Sequence, residues 1–292
     1  MDDILMFPSV SGFDEWGPTY YHAKEYLPVN DAPLWRVNTS VSVGIYASED
    51  MFLEGNEPTL WREHYLRFVE KAELIGLDKY RMPTSADIKR SIHVLANKNK
   101  YPPYSVVRLM AWEDSKGRVD YSIFQRRVES NIFEVQAEPI HLAPASKDLY
   151  ISTGLSDKMG VNRIVVSLEH ARAKKAGFVG ACLCDSQHRI LRSTLGALYF
   201  SFPGSKVVTV GEQTGGISDA IDKSLKEVFD AKHLKFEVVD NIDDSLLNMA
   251  HDCFVCSSTL GLRPVVSLGQ NKRFFTSLSI DLAEELRKTF IF

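Results

Sequence analysis

Cysteine is scarce in this sequence: Cys182, Cys184, Cys253 and Cys256 are the four among 292 residues. That is too few for a disulfide scaffold at this size. Cys253 and Cys256 have zinc-knuckle spacing, but they lie in an apolar run read as a strand, where residues three apart point to opposite faces. Buried reduced thiols are therefore expected, and no metal. No uninterrupted apolar run approaches the roughly 18 residues needed to span a membrane. The opening Met1-Asp2-Asp3-Ile4 is acidic where a secretory signal would be basic, so a cytoplasmic protein is expected. Base is not in excess either: Lys+Arg 34 against Asp+Glu 38 gives a net charge of -4, which argues against nucleic acid as a partner. The sequence also lacks Gly-x-Ser-x-Gly, His-Glu-x-x-His and the Rossmann glycine fingerprint. His170 and His251 have no partner at metal-ligand spacing.

What is present suffices for a large core, with 45% hydrophobic and 11% aromatic residues over a length that suits two domains. Residues 35–46 are rich in β-branched and aromatic types and suggest strands, after which Pro58-Thr59 opens a helix to about Leu74. Thr84 and Asp87 form a capping-box-like pair before a helix with Ile88, Ile92 and Leu95 on one stripe. Tyr104 to Trp112, Val119 to Arg127 and Asn131 to Ile140 read as strands, the first two joined by a turn at Asp114 to Gly117. His141 to Asp148 breaks the pattern as a linker. The expected division is a small α+β domain over 1–142, a linker over 143–149 and a larger domain over 150–292.

In that larger part, Ile164, Val165, Leu168 and Ala171 predict a helix from Val161 to Ala176, stopped by Gly177. Four short strands follow, with turns at Ser186 to His188 and Pro203 to Ser205, and the loop Gly211 to Gly216 leads into a helix expected from Ile217. Then come a strand at Lys235 to Val239, a short helix at Asp244 to Ala250, strands around Cys253 and Pro264, and a terminal helix bearing Leu282, Leu286 and Phe290.

Chemistry concentrates in Asp157-Lys158-Met159-Gly160-Val161-Asn162-Arg163. Lys158 ends an extended segment, and the nearby glycine lets the backbone turn closely past a bound group. An imine-forming lysine must deprotonate near neutral pH, which burial or a neighbouring cation such as Arg163 promotes. The amides after Gly216 suit an anion, because first-turn amides are unpaired and a helix dipole favours negative charge. A nucleotide P-loop is excluded, since Ile217 stands where lysine is required.

Together these motifs resemble the class IV aminotransferases, the family of branched-chain and D-amino-acid aminotransferases and aminodeoxychorismate lyase. Lys158-Met-Gly160-Val-Asn162-Arg163 is similar to the family's Lys-x-Gly-Gly-Asn-Tyr, His64-Tyr-Leu-Arg67-Phe68 to His-x-x-Arg-Leu, and Tyr104 to Arg108 to the strand of Tyr-Ile-Arg-Pro. Gly216-Ile217-Ser218 is similar to Gly-Ile-Thr, and Ser257-Ser258-Thr259, before Pro264-Val265, to Gly-Thr-Ala. The resemblance implies a two-domain α+β fold of the fold-type IV pyridoxal 5'-phosphate enzymes, a small two-layer domain beside a strand-rich pseudo-barrel with outer helices. Lys158 would form the internal aldimine. Arg67, Ile217, Ser218 and Ser258 would hold the phosphate, Arg163 would lie beside the cofactor, and Arg108 would meet a substrate carboxylate.

Three residues depart from the pattern. Arg192 stands where the family carries the glutamate that pairs with the pyridine nitrogen, and an arginine cannot accept that proton. Arg163 replaces the tyrosine of branched-chain enzymes, and Ala197 replaces an asparagine. The resemblance makes transamination of an amino acid through the Lys158 aldimine the leading expectation. The alternatives are a lyase like aminodeoxychorismate lyase, or a family member with weakened turnover that only binds cofactor or ligand. A small amino or keto acid as partner and a homodimer are implied as well.

Overall fold

The computed structural model describes residues 19–22, 25–28, 46–100, 103–114, 116–134, 139–146, 148–149, 163–270 and 272–290. They divide into two units, a smaller one within residues 12–131 and a larger one from residue 132 onward. No helix among them is long and apolar enough to cross a membrane.

The smaller unit contains β1 (Thr19–His22), β2 (Glu25–Pro28), β3 (Ala47–Glu54), β4 (Glu57–Pro58), α1 (Trp61–Leu74), α2 (Ser85–Asn99), β5 (Tyr104–Glu113) and β6 (Val119–Arg127). The strands form an antiparallel sheet in the order β2-β1-β6-β5-β3-β4. Alternation along the strands sends Met51, Leu53, Val107, Leu109 and Ile123 to one face. There they pack with Phe68 and Ala72 of α1 and Ile88, Ile92 and Leu95 of α2, all fully or nearly fully buried. Burying each large aliphatic side chain contributes about 1.5–3 kcal/mol. Thr84 caps α2 as expected, accepting from the Asp87 amide at 3.2 Å. Asp114 closes the β5–β6 turn by accepting from the amides of Lys116 and Arg118.

Strand β3 is absent from the sequence reading, whose strands at 35–45 lie outside the described residues. Its Ser48-Glu49-Asp50 looks like a loop, yet Glu49 is buried. Asn131 to Glu134, expected to begin a strand, forms a turn.

The larger unit contains β7 (Ile140–Pro144), α3 (Arg163–Lys175), β8 (Gly180–Cys184), β9 (Ile190–Ser193), β10 (Ala197–Phe202), β11 (Lys206–Val210), α4 (Asp222–Ala231), β12 (Lys235–Val239), α5 (Asp244–Met249), β13 (Asp252–Ser257), β14 (Gly261–Leu268), β15 (Lys272–Arg273) and α6 (Ser277–Lys288). Its strands run in the order β12-β11-β10-β13-β14-β7-β8-β9, with β15 beside β14. Strand β7 occupies the segment read as a linker, and it pairs in parallel with both β14 and β8. Its Leu142 and Ala143 are buried, which is why a stretch punctuated by Pro144 still belongs to the sheet. Leu183, Leu198, Phe200, Cys253, Val255 and Val265 lie at the centre of this core.

Helix α3 turns a different face inward from the one its apolar spacing predicts. Ile164 and Leu168 are exposed, whereas Glu169, His170 and Ala173 are buried. The inward face carries polar partners: Glu169 accepts from the Ser146 amide at 2.8 Å and hydroxyl at 2.7 Å, and His170 Nδ1 lies 3.2 Å from Thr194 Oγ1, while Val165 of the expected stripe packs against the core. Gly177, at φ 83°, ends the helix as expected. Helix α4 begins at Asp222 rather than Ile217, so Ile217 and Ser218 belong to the loop before it.

Candidate functional site

Three chain segments of the larger unit meet where the sequence places the phosphate-holding residues. The first is the tight turn Ser193 to Gly196 after β9, in which Ser193 Oγ accepts from the amides of Leu195 and Gly196 and donates to the Gly196 carbonyl. The second is the loop from Glu212 to Ile221 between β11 and α4, and the third is the turn after β13 that carries Ser258. Gly196, at φ 151°, approaches so closely that a Cβ would stand 2.8 Å from the Cys256 carbonyl oxygen and 3.1 Å from the Ser257 Cβ. Gly216 is equally constrained, since a Cβ would fall 2.0 Å from the Val210 carbonyl oxygen. Only glycine has the clearance for these approaches.

Carboxylates dominate the loop. Glu212 Oε1 accepts from the Ser218 amide at 3.3 Å and from the Ser218 hydroxyl in a shorter contact. Asp219 Oδ1 accepts from the Ser258 amide at 2.9 Å and from the Ile221 amide at 3.2 Å. Asp222 accepts from the Asp219 amide at 2.9 Å and from the Tyr199 hydroxyl at 3.0 Å. The negative field reaches the core. Burial, reinforced by Asp222, pushes the Tyr199 hydroxyl well above its ordinary range, and burial with Asp219 and Asp222 does the same to the Cys256 thiol. Tyr199 therefore stays neutral and donates.

Of the other expected site residues, Arg192 is buried on β9 opposite Leu183, in the strand that leads into the Ser193 to Gly196 turn. Lys158 lies outside the described residues, and so does the side chain of Arg163, whose backbone begins α3.

Arg67 and Arg108 belong to the smaller unit, where each meets a carboxylate. On α1, His64, Arg67 and Lys71 face Glu49, with His64 Nδ1 at 2.8 Å, Arg67 Nε at 3.3 Å and Lys71 Nζ in a still shorter contact. Burial would raise the Glu49 pKa, but Lys71, His64 and Arg67 override it and hold the carboxyl far below its ordinary range. On the opposite face of β3, Arg108 grips Asp50 with two donors, Nε at 2.6 Å and Nη2 at 2.5 Å. Arg126 Nη2 lies 4.0 Å from the same carboxylate, and burial lowers the Arg126 pKa to about 10. Arg108 is thus committed to an internal carboxylate.

These arrangements bear on whether a phosphorylated cofactor fits. The Arg67 Nε, the Ser218 hydroxyl and the Ser258 amide are each engaged by a carboxylate of their own unit, namely Glu49, Glu212 and Asp219. A phosphate dianion drawn to the Ser218 and Ser258 donors would meet Glu212 and Asp219, with Asp222 hydrogen-bonded beside them. Like charges in such a site repel by several kcal/mol. Among the described residues, the carboxylates around the Ser218 donors and the Ser258 amide do not suit a phosphate group. None of these carboxylates was singled out from the sequence, although acidic residues at 212, 219 and 222 around one glycine loop were the available signal.

Comparison with known proteins agrees with the fold. The family described as Amino-transferase class IV matches residues 47–268. A T.th. branched-chain amino acid aminotransferase with pyridoxamine 5'-phosphate is 16% identical, with a TM-score of 0.76 over 92% of this chain and 93% of that one. The branched-chain aminotransferase of Thermoproteus uzoniensis with norvaline is 13% identical, with a TM-score of 0.77 over 93% and 94%. The PLP form of the Thermobaculum terrenum branched-chain enzyme is 15% identical, with a TM-score of 0.74 over 94% of both chains. No curated protein matches the chain by sequence. The architecture is that of the fold-type IV pyridoxal-phosphate enzymes. Since the family match spans most of the 292 residues, the chain belongs to the class IV aminotransferase family.

Proposed function

We propose that this chain is a class IV family member in which pyridoxal-phosphate turnover is weakened or lost and whose larger unit serves to bind a small ligand. One observation carries this reading: the Arg67 Nε, the Ser218 hydroxyl and amide, and the Ser258 amide each already serve a carboxylate. Arg192, buried on β9, adds to it, because an arginine cannot take the proton that the family's glutamate receives.

Transamination of an amino acid through Lys158 is the second reading, with a lyase reaction as its variant. It draws support from the Lys158-Met-Gly160-Val-Asn162 motif and from likeness along nearly the whole chain to structures holding pyridoxamine phosphate or in the PLP form. Under that reading the partners are a small amino or keto acid and a second copy of the chain. The two readings separate in an absorbance titration of the purified protein with pyridoxal phosphate. The first expects no saturating imine band that depends on Lys158. A saturating band that disappears in Lys158→Ala, together with conversion of an amino donor, would establish the second.

A further inference from the structure

Two of the four cysteines stand one residue apart on strand β8. Cys182 and Cys184 flank Leu183, so strand alternation sends both side chains to one face. Both thiols are free; Cys182 is buried, and Cys184 packs at the edge of the same core, partly open to solvent. The Cys182 thiol donates towards the Cys184 sulfur. That contact holds the proton on Cys182, and it lowers the Cys184 pKa against burial and the nearby Asp185, Asp148 and Asp244. Cys253 and Cys256 are fully buried, and burial pushes both thiols well up, so neither competes as a nucleophile.

We propose that Cys182 and Cys184 form a peroxide-sensitive dithiol that closes into a reversible disulfide within β8. An accessible thiol with a second one poised behind it is the arrangement that favours this chemistry. The spacing permits closure: two residues along a strand rise roughly 6.4–6.8 Å, the upper end of the Cα separation of about 4.4–6.8 Å that a disulfide spans. The strand must shorten slightly, and the β8–β9 register already shifts between Leu183 and Cys184, where the ladder has to give. A disulfide closed under such tension is readily reduced. In the first step the Cys184 thiolate attacks one oxygen of hydrogen peroxide, the O–O bond breaks, and the departing hydroxide takes up a proton as water. The Cys182 sulfur then attacks the resulting Cys184 sulfenic acid. The S–O bond breaks, hydroxide leaves with the Cys182 proton as a second water, and the S–S bond forms. Peroxide is reduced by the two electrons that the thiols lose. Cys182 pairs with Ser193 and Leu183 with Arg192, so the disulfide lies in the strand pair that leads into the Ser193 to Gly196 turn.

Cofactor binding plays no part in this reaction, so the full chain is treated with a small molar excess of hydrogen peroxide in the absence of pyridoxal phosphate. Thiols are then counted in denaturant and the peptides are mapped by mass spectrometry without reduction. The count should fall from the four free cysteines to two and return to four with dithiothreitol. The peptide carrying Cys182 and Cys184 should be lighter by two hydrogens, with Cys253 and Cys256 unmodified. Cys182→Ser should leave a sulfenic acid at Cys184, trapped by dimedone, because no resolving thiol remains. Cys184→Ser should keep its remaining thiols under the same treatment. A count that stays at four in the folded wild type overturns the proposal. So does a disulfide that includes Cys253 or Cys256, or a loss of thiols in Cys184→Ser equal to that of wild type.

Discussion

Replacing Glu212 by alanine should strengthen phosphate binding at the loop before α4, with Asp219 and Asp222 still in place. The Glu212 carboxylate engages both the Ser218 amide, at 3.3 Å, and the Ser218 hydroxyl. A phosphate using those donors would stand about 4 Å from the carboxylate, where two unit charges repel by about 4 kcal/mol at an effective dielectric of 20. Glu212 and Ser218 are partly exposed, so solvent and salt reduce that figure, and about 2–3 kcal/mol is a sound expectation. That corresponds to a gain of roughly 30- to 150-fold in phosphate affinity. Glu212→Gln should fall between, because it removes the charge but leaves an acceptor for Ser218. The assay is a titration with inorganic phosphate at low ionic strength, followed by phosphorus NMR or calorimetry, with circular dichroism to confirm folding. A folded Glu212→Ala protein that binds phosphate no better than wild type would refute the reasoning.

Glu49→Gln should destabilise the smaller unit by about 2–4 kcal/mol, because it leaves three basic side chains around a neutral amide; the figure is discounted for Arg67 and Lys71, whose side chains are 20% and 16% exposed. Urea unfolding measures it, and a loss under about 1 kcal/mol would show that the cluster is not tightly coupled. Glu49 and Asp50 both titrate below their ordinary range, where their cationic neighbours outweigh burial. Their contribution is therefore complete above an unfolded carboxylate pKa of about 4 and is lost as pH falls through the lower folded values. The melting temperature should decline progressively below about pH 4.5, and less steeply in Glu49→Gln; parallel profiles would count against Glu49 as a source. Gly216→Ala should cost about 1–3 kcal/mol, because the added Cβ would meet the Val210 carbonyl oxygen at 2.0 Å. An unchanged melting temperature would contradict that geometry.

Local signals were legible where the chain satisfies itself locally. Thr84 caps α2 three residues from its partner Asp87, and Gly177 ends α3 with a positive φ. The Cys253 and Cys256 positions fall on strand β13 and are buried, with both thiols free. The failures share one physical origin, polar groups buried by distant partners. Strand β3 was invisible because Glu49 and Asp50 suggest solvent, and their cations lie on α1 and β5, as far as 58 positions along the chain. Helix α3 shows an apolar stripe at 3.6 periodicity, but Glu169 and His170 on another face are buried beside Ser146 and Thr194. The family resemblance located Ser218 and Ser258 but carried no information about Glu212 and Asp219, which engage them across 6 and 39 positions. Charge sign at a site is set by such neighbours, and motif spacing does not report it.

The most direct measurement is the equilibrium affinity for pyridoxal phosphate, with borohydride trapping and peptide mapping at saturation. Carboxylates engaging the Arg67 Nε, Ser218 and the Ser258 amide imply weak binding, with no selective adduct at Lys158 and no improvement over pyridoxal lacking the phosphate. Tight, phosphate-dependent binding with a stoichiometric adduct confined to Lys158 would contradict the account.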